Sequence, residues 1–190
     1  MLSLTLLVAA WHPSCRTGHA PSSPRASCRA VPLRLSAAGH EEWMLYALRL
    51  SERGRFSTAP NPWVGCVIVG ADGALLAEGF HEQKGGPHAE AAALIDLRKK
   101  SVPSEALAAA TAYVTLEPCH MGPGKTTPAC DEALVGAGIR SVHIALLDPD
   151  PAFGGGAAFL RSKGVEVTVG AAAEAVRASL VRLRVPYAQP

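Results

Sequence analysis

Three short pieces of the chain combine residue types that could do chemistry together: His88-Ala-Glu90, Glu117-Pro-Cys119 and Cys130. One imidazole and two thiolates form a zinc-type ligand set, and an ion held by three protein groups keeps its fourth tetrahedral position for solvent. Zinc in such a site lowers the pKa of water from 15.7 to about 7, so hydroxide is available at neutral pH. Glu90 follows His88 by two residues, off the imidazole's spoke of a helix, which suits a place beside the solvent rather than on the metal. A carboxylate there can take a proton from water and hand it on, work that contributes typically about 10²–10⁴-fold. H-x-E alone is a weak pattern, and a lone histidine at a helix start often serves as a cap. Order and placement make the combination informative.

The elements around these residues are expected to bring them together. Met44, Leu45, Ala47 and Leu48 recur at helical spacing within 41–51, and Gly54 follows where a helix would stop. Ser57-Thr-Ala-Pro-Asn-Pro62 reads as a fixed loop, because its two prolines lack backbone donors. The β-type runs 63–69 and 75–80, joined through Ala71-Asp72-Gly73, predict an antiparallel hairpin. A second helix is expected over 88–100, with Arg98, Lys99 and Lys100 at its favourable C-terminal end. Strands are expected at 112–116, 142–147 and 165–169, and helices at 128–135, 157–163 and 171–184. One hairpin followed by alternating elements predicts a mixed sheet covered by helices on both faces. His88 and Cys130 then sit at helix starts and Cys119 at a strand end. Helix N-termini favour thiolates and negative charge building on a substrate.

H-x-E followed by P-C-x-x-C is the signature of zinc nucleobase deaminases, and this chain resembles it with ten residues, rather than two, between Cys119 and Cys130. That longer segment is polar and Gly-rich and carries His120, Lys125 and Thr126, suited to gripping an anionic substrate. More specifically, the chain resembles the deaminases of riboflavin biosynthesis, which act on a diaminohydroxyphosphoribosylaminopyrimidine. The resemblance runs from Met44 to about Val169 through Ala59-Pro-Asn-Pro-Trp-Val-Gly-Cys66, Gly79-Phe-His81, His88-Ala-Glu90, Tyr113-Val-Thr-Leu-Glu-Pro-Cys-His120, Gly124-Lys-Thr126, Pro128-Ala-Cys130 and Asp148-Pro-Asp-Pro151.

The resemblance implies a cytidine deaminase-like α/β fold, a three-layer α/β/α sandwich with a mixed five-stranded sheet. It implies hydrolytic removal of a 2-amino group from a small phosphorylated pyrimidine, with Zn2+ as cofactor. It makes His88, Cys119 and Cys130 the metal ligands and Glu90 the proton shuttle, and it places Asn61, His81, His120, Lys125, Thr126, Asp148 and Asp150 at the substrate. The physics agrees for Lys125, a point charge suited to phosphate, and for Asn61 on its Pro-flanked loop. His81 could equally end a strand and Asp148 could equally be a turn residue. Gly154-Gly-Gly156 reads as a helix-entry loop, since it lacks the Gly-Lys-Ser/Thr of a phosphate loop. Two departures from the family pattern stand out. Cys-His-Met replaces the usual Cys-Ser-His in a longer loop, and Asp150 replaces an amide.

At 190 residues, 48% hydrophobic and 5% aromatic, the chain has the size and composition of one α/β domain. The first 38 residues carry Arg16, Arg25, Arg29 and Arg34 and six serines, with no acid before Glu41. They read as a targeting presequence without a fold of its own, of organelle transit or bipartite type and directed to a plastid; an unstructured extension is the other reading. Residues 39–190 are then the deaminase domain. The apolar stretch 2–10 falls short of the roughly 20 residues a bilayer needs, so no membrane association is expected. The net charge of +2 includes the presequence arginines; without them 14 basic residues face 16 acidic ones, a net −2 with no electrostatic footprint for nucleic acid. Cys66, Cys119 and Cys130, outside the presequence, do not make a disulfide framework.

Members of the family often continue into a nicotinamide-dependent reductase. The end at Pro190 leads us to expect no reductase domain here and a separate reductase as partner for the next step; a homo-oligomer is compatible with the sequence. Two rival readings stay open at this level: a cytidine, guanine or tRNA-adenosine deaminase, and a catalytically silent binding relative.

Overall fold

The computed structural model describes residues 39–121 and 128–181; the expected presequence, Lys125 and Thr126 lie outside the described residues. Helix α1 (His40–Ser51) runs into a 3-10 turn (Glu52–Gly54), followed by β1 (Gly65–Val69), β2 (Leu75–Phe80), α2 (Ala89–Lys99) and a short α3 (Ser104–Leu107). Then come β3 (Thr111–Leu116), α4 (Cys130–Gly136), β4 (Ser141–Leu146), α5 (Gly156–Ser162), β5 (Glu166–Val169) and α6 (Ala173–Val181). The strands form one mixed sheet in the order β2-β1-β3-β4-β5. β1 pairs antiparallel with both β2 and β3, while β3, β4 and β5 run parallel. This is the five-stranded α/β sheet that the sequence implied.

Burial follows position in the sheet. Every residue of β1 is buried, as is all but the first residue of β3 and β4, because these strands have helices on both faces. The edge strands β2 and β5 keep the alternation of half-covered strands or lie largely exposed. Cys66 and Ile68 of β1 enter a core with Ala89, Ala93 and Leu97 of α2, Leu134 of α4 and Leu160 of α5. Val67 and Val69 point the other way, into a core with Trp43, Met44, Ala47 and Leu48 of α1 and Val176 and Leu180 of α6. On that second face the buried His143 ring stacks on His40 at 4.0 Å and on Tyr113 at 5.0 Å between centroids. Burial, then the neighbouring His40, holds the His143 pKa below its ordinary 6.5.

Gly79 controls how closely α2 approaches the sheet. A β-carbon there would stand 2.3 Å from the Ala93 nitrogen and 2.5 Å from the Ala89 carbonyl oxygen, so the helix backbone lies directly on β2. The first turn of α2, which carries the H-x-E residues, is thereby registered against the sheet.

Small differences from expectation have local causes. Strand β1 starts at Gly65 rather than at residue 63; Val64 still accepts from the His81 nitrogen, but the Gly65 nitrogen donates to the Thr115 hydroxyl. Helix α3 was not anticipated, because one turn after Pro103 carries no measurable periodicity. The helix expected from residue 171 starts at Ala173, after a turn in which Ala172 takes a φ of 50°. Among the described residues no helix is long and apolar enough to cross a membrane.

Candidate metal centre and substrate cleft

His88 is the N-cap of α2, extended at φ −69° and ψ 163°, and its carbonyl accepts the first helical bond from Ala92. Cys130 opens α4, and Cys119 lies three residues beyond the end of β3. The three elements meet at one end of the sheet. His88 Nδ1 stands 3.5 Å from Cys119 Sγ and 3.4 Å from Cys130 Sγ, and all three ligand atoms lie within 4.8 Å of one another. A tetrahedral zinc with Zn–N of about 2.05 Å and Zn–S of about 2.3 Å sets N and S about 3.5 Å apart. The donor set therefore fits zinc in chemistry and in spacing.

The protonation of the two sulfurs tells the same story. A hydrogen bond from the Cys130 thiol, reinforced by His88, pulls the Cys119 pKa down to about 3. The same shared bond and burial push the Cys130 thiol well up.

Glu90 lies in the first turn of α2 and is 3% exposed. Burial pushes its carboxyl up to about 7, against the pull of its own backbone N–H and of His88; the Cys119 charge adds to the rise. A carboxyl poised near neutrality beside the ligand atoms can both accept and return a proton near pH 7.

A cleft of about 120 Å³ opens over this group, lined by Asn61, His81, Glu90, Leu116, Asp148 and Phe153 among others. His81 Nδ1 lies 2.9 Å from the Pro87 carbonyl oxygen, which can only accept, so Nδ1 bears the proton. Nε2 is then free to accept from Asn61 Nδ2 at 3.5 Å, which orients the amide. The half-buried Asp148 carboxyl is held above its ordinary range by desolvation and by the charges of Asp150, Glu117 and Cys119.

The remaining sequence-predicted contacts are placed differently. His120 Nδ1 is 2.6 Å from the buried Asp131 carboxylate and its ring leans on Phe159 at 4.9 Å; it is not among the described residues that line the cleft. Asp150 Oδ1 accepts from the Ala152 nitrogen at 2.9 Å, and its own nitrogen donates to Asp148 Oδ1; it braces the turn beneath Asp148. Pro62, Val64, Leu116 and Phe153 line the cleft without having been singled out from sequence. Apolar lining residues carry no chemical signature, and Phe153 arrives from a loop whose path only the fold defines. Gly155 and Gly156 open α5, the helix-entry role expected of the glycine run.

Comparison with known proteins gives this geometry a family. Residues 38–146 match the model of the cytidine and deoxycytidylate deaminase zinc-binding region. The chain is 46% identical over 131 residues to the riboflavin biosynthesis protein RibD of Escherichia coli, covering 68% of this chain and 33% of that protein. It spans about a third of the length of such RibD relatives. It is 44% identical over 129 residues to a diaminohydroxyphosphoribosylamino-pyrimidine deaminase of Buchnera aphidicola, covering 67% of this chain and 82% of that one. Among solved structures it resembles Acinetobacter baumannii RibD with a TM-score of 0.65 and 44% identity, over 75% of this chain and 38% of that one. With the zinc-type ligand set, the buried glutamate and the matched length together, the chain belongs to the zinc-binding cytidine and deoxycytidylate deaminase family, within its diaminohydroxyphosphoribosylaminopyrimidine deaminase branch.

Proposed function

We propose that the chain hydrolyses 2,5-diamino-6-(5-phosphoribosylamino)pyrimidin-4(3H)-one to 5-amino-6-(5-phosphoribosylamino)uracil and ammonia, with His88, Cys119 and Cys130 holding zinc and Glu90 moving protons. The observation that carries this reading is the meeting of His88 Nδ1 with two sulfurs at 3.4 and 3.5 Å beside a buried carboxyl. Zinc held by His88, Cys119 and Cys130 would supply an acidified water, with a pKa of about 7. The Glu90 carboxylate would take the two protons of the water in turn, delivering the first to a ring nitrogen and the second to the departing amine. Across the reaction a C2–O bond forms, the C2–N bond breaks, and the amine leaves as ammonia. Asn61, beside His81 on the cleft wall, would hold the ring. Lys125 and Thr126 are assigned to the phosphate by their residue types and motif. The Arg- and Ser-rich residues 1–38 support import into an organelle, a plastid in our reading.

The test is zinc content per chain together with ammonia release from the ribosylaminopyrimidine phosphate, from cytidine and from guanine. Stoichiometric zinc with turnover only of the first is expected. Turnover of cytidine alone would reassign the substrate.

A further inference from the structure

Glu117 is buried, 7% exposed, and none of the proton transfers above uses it. Its backbone is fixed at the end of β3, where its nitrogen donates to the Leu146 carbonyl at 2.8 Å. Its carboxylate reaches across to the connection between β4 and α5 and accepts three backbone N–H groups. Oε2 takes that of Asp148 at 3.0 Å; Oε1 takes those of Gly155 at 3.2 Å and Ala157 at 2.8 Å. These donors belong to the two ends of one segment, 148–157, and the last two are orphan donors at the start of α5. Two cleft-lining residues, Asp148 and Phe153, ride on that segment.

The neighbouring contacts are equally close. A β-carbon on Gly156 would stand 1.9 Å from the Pro118 carbonyl oxygen, and the His120 nitrogen donates to the Phe153 carbonyl at 3.1 Å. One carboxylate thus clasps both ends of the cleft wall to the strand end that also carries Cys119.

We infer that Glu117 is a positioning residue: by accepting from Asp148, Gly155 and Ala157 it fixes the β4–α5 segment as the wall of the substrate cleft, and so sets substrate affinity rather than metal binding or proton transfer. Among the described residues the Glu117 carboxyl oxygens meet three N–H donors, an arrangement that needs acceptors at both oxygens. Glutamine in its place turns an NH2 group toward at least one backbone N–H. Aspartate keeps the charge but withdraws it by one methylene, so that it cannot span both ends. The inference rests on the proposed deaminase reading for its effect on KM, but not for its effect on the segment.

The experiment compares the full-length wild type with Glu117→Gln and Glu117→Asp. It measures zinc content, steady-state kinetics with the ribosylaminopyrimidine phosphate, and amide hydrogen exchange resolved to residues 148–157 and 89–99. Losing one hydrogen bond to a charged acceptor corresponds to roughly tenfold or more in local opening. Exchange in 148–157 is therefore expected to quicken about tenfold in both variants, with 89–99 unchanged and zinc retained. KM should rise about tenfold while kcat stays within about twofold. Wild-type exchange rates in 148–157 in both variants would overturn the inference, as would a fall in kcat at constant KM, or failure of both variants to fold. Hydrogen exchange needs no substrate, so an inactive wild type would refute the deaminase reading and leave this result standing.

Discussion

Replacing Gly79 by alanine tests whether the sheet sets the geometry of the metal centre. The added β-carbon would lie 2.3 Å from the Ala93 nitrogen and 2.5 Å from the Ala89 carbonyl oxygen, both backbone atoms that no rotamer change can move aside. Ordinary contact begins near 3.4 Å, so α2 must retreat from β2 by about 1 Å. His88 and Glu90 travel with its first turn, whereas Cys119 follows the end of β3 and Cys130 opens α4. A retreat of that size lengthens the 3.5 Å and 3.4 Å nitrogen-to-sulfur separations past what a single zinc spans. Overpacking of this kind costs about 1–3 kcal/mol of stability. Displacing a reacting group by about 1 Å costs on the order of 10²-fold in turnover. We expect Gly79→Ala to fold with a lowered Tm, to release zinc to a chelator about 10–100 times more readily, and to lose about 10²-fold in kcat/KM. Zinc retention and turnover equal to wild type would refute the idea that the α2–β2 contact holds the ligands in register.

Glu90→Gln should keep zinc, since Glu90 is not in the ligand set, yet lose about 10²–10⁴-fold in kcat, checked by metal analysis beside an ammonia assay. Lys125→Ala should raise KM for the phosphorylated substrate and leave it unchanged for the dephosphorylated nucleoside, a difference that steady-state kinetics reads directly. The depressed pKa of His143 makes stability depend on pH with a definite sign: the unfolded chain binds a proton below about 6.5 while the folded ring stays neutral, so stability falls as pH drops from 6.5 toward the lower folded value. Melting curves between pH 7.5 and about 5 should show a decline that His143→Gln flattens.

Much of the frame was legible because it rests on local rules. Met44, Ala47 and Leu48 recur at helical spacing, and the Ala71–Gly73 turn lies between two β-type runs, so α1 and the hairpin follow from short windows. The candidate ligand group was legible because its residue types are chemically narrow and stand at element boundaries. What escaped depends on pairings across the chain. Glu117 takes its hydrogen bonds from residues 31, 38 and 40 positions away, and nothing near it in sequence marks them. His120 sits beside a ligand cysteine, yet its ring turns to Asp131, a partner that only the packing of α4 supplies. The edge of α2 was read from its composition, but the closeness of its seat on β2 depends on Gly79, which in sequence is one glycine among 18.

The antiparallel pairing of β1 with β3 gives the sheet two unlike rims. Val69 lies opposite Thr111, where β3 begins, and the ligand cysteine follows where β3 ends. Six strand residues at about 3.3 Å each separate the 70–74 turn from the catalytic rim by roughly 20 Å. Length and composition can drift at that turn without disturbing the far rim, and a reporter or affinity handle grafted there would sit roughly 20 Å along the sheet from Cys119 and its neighbours.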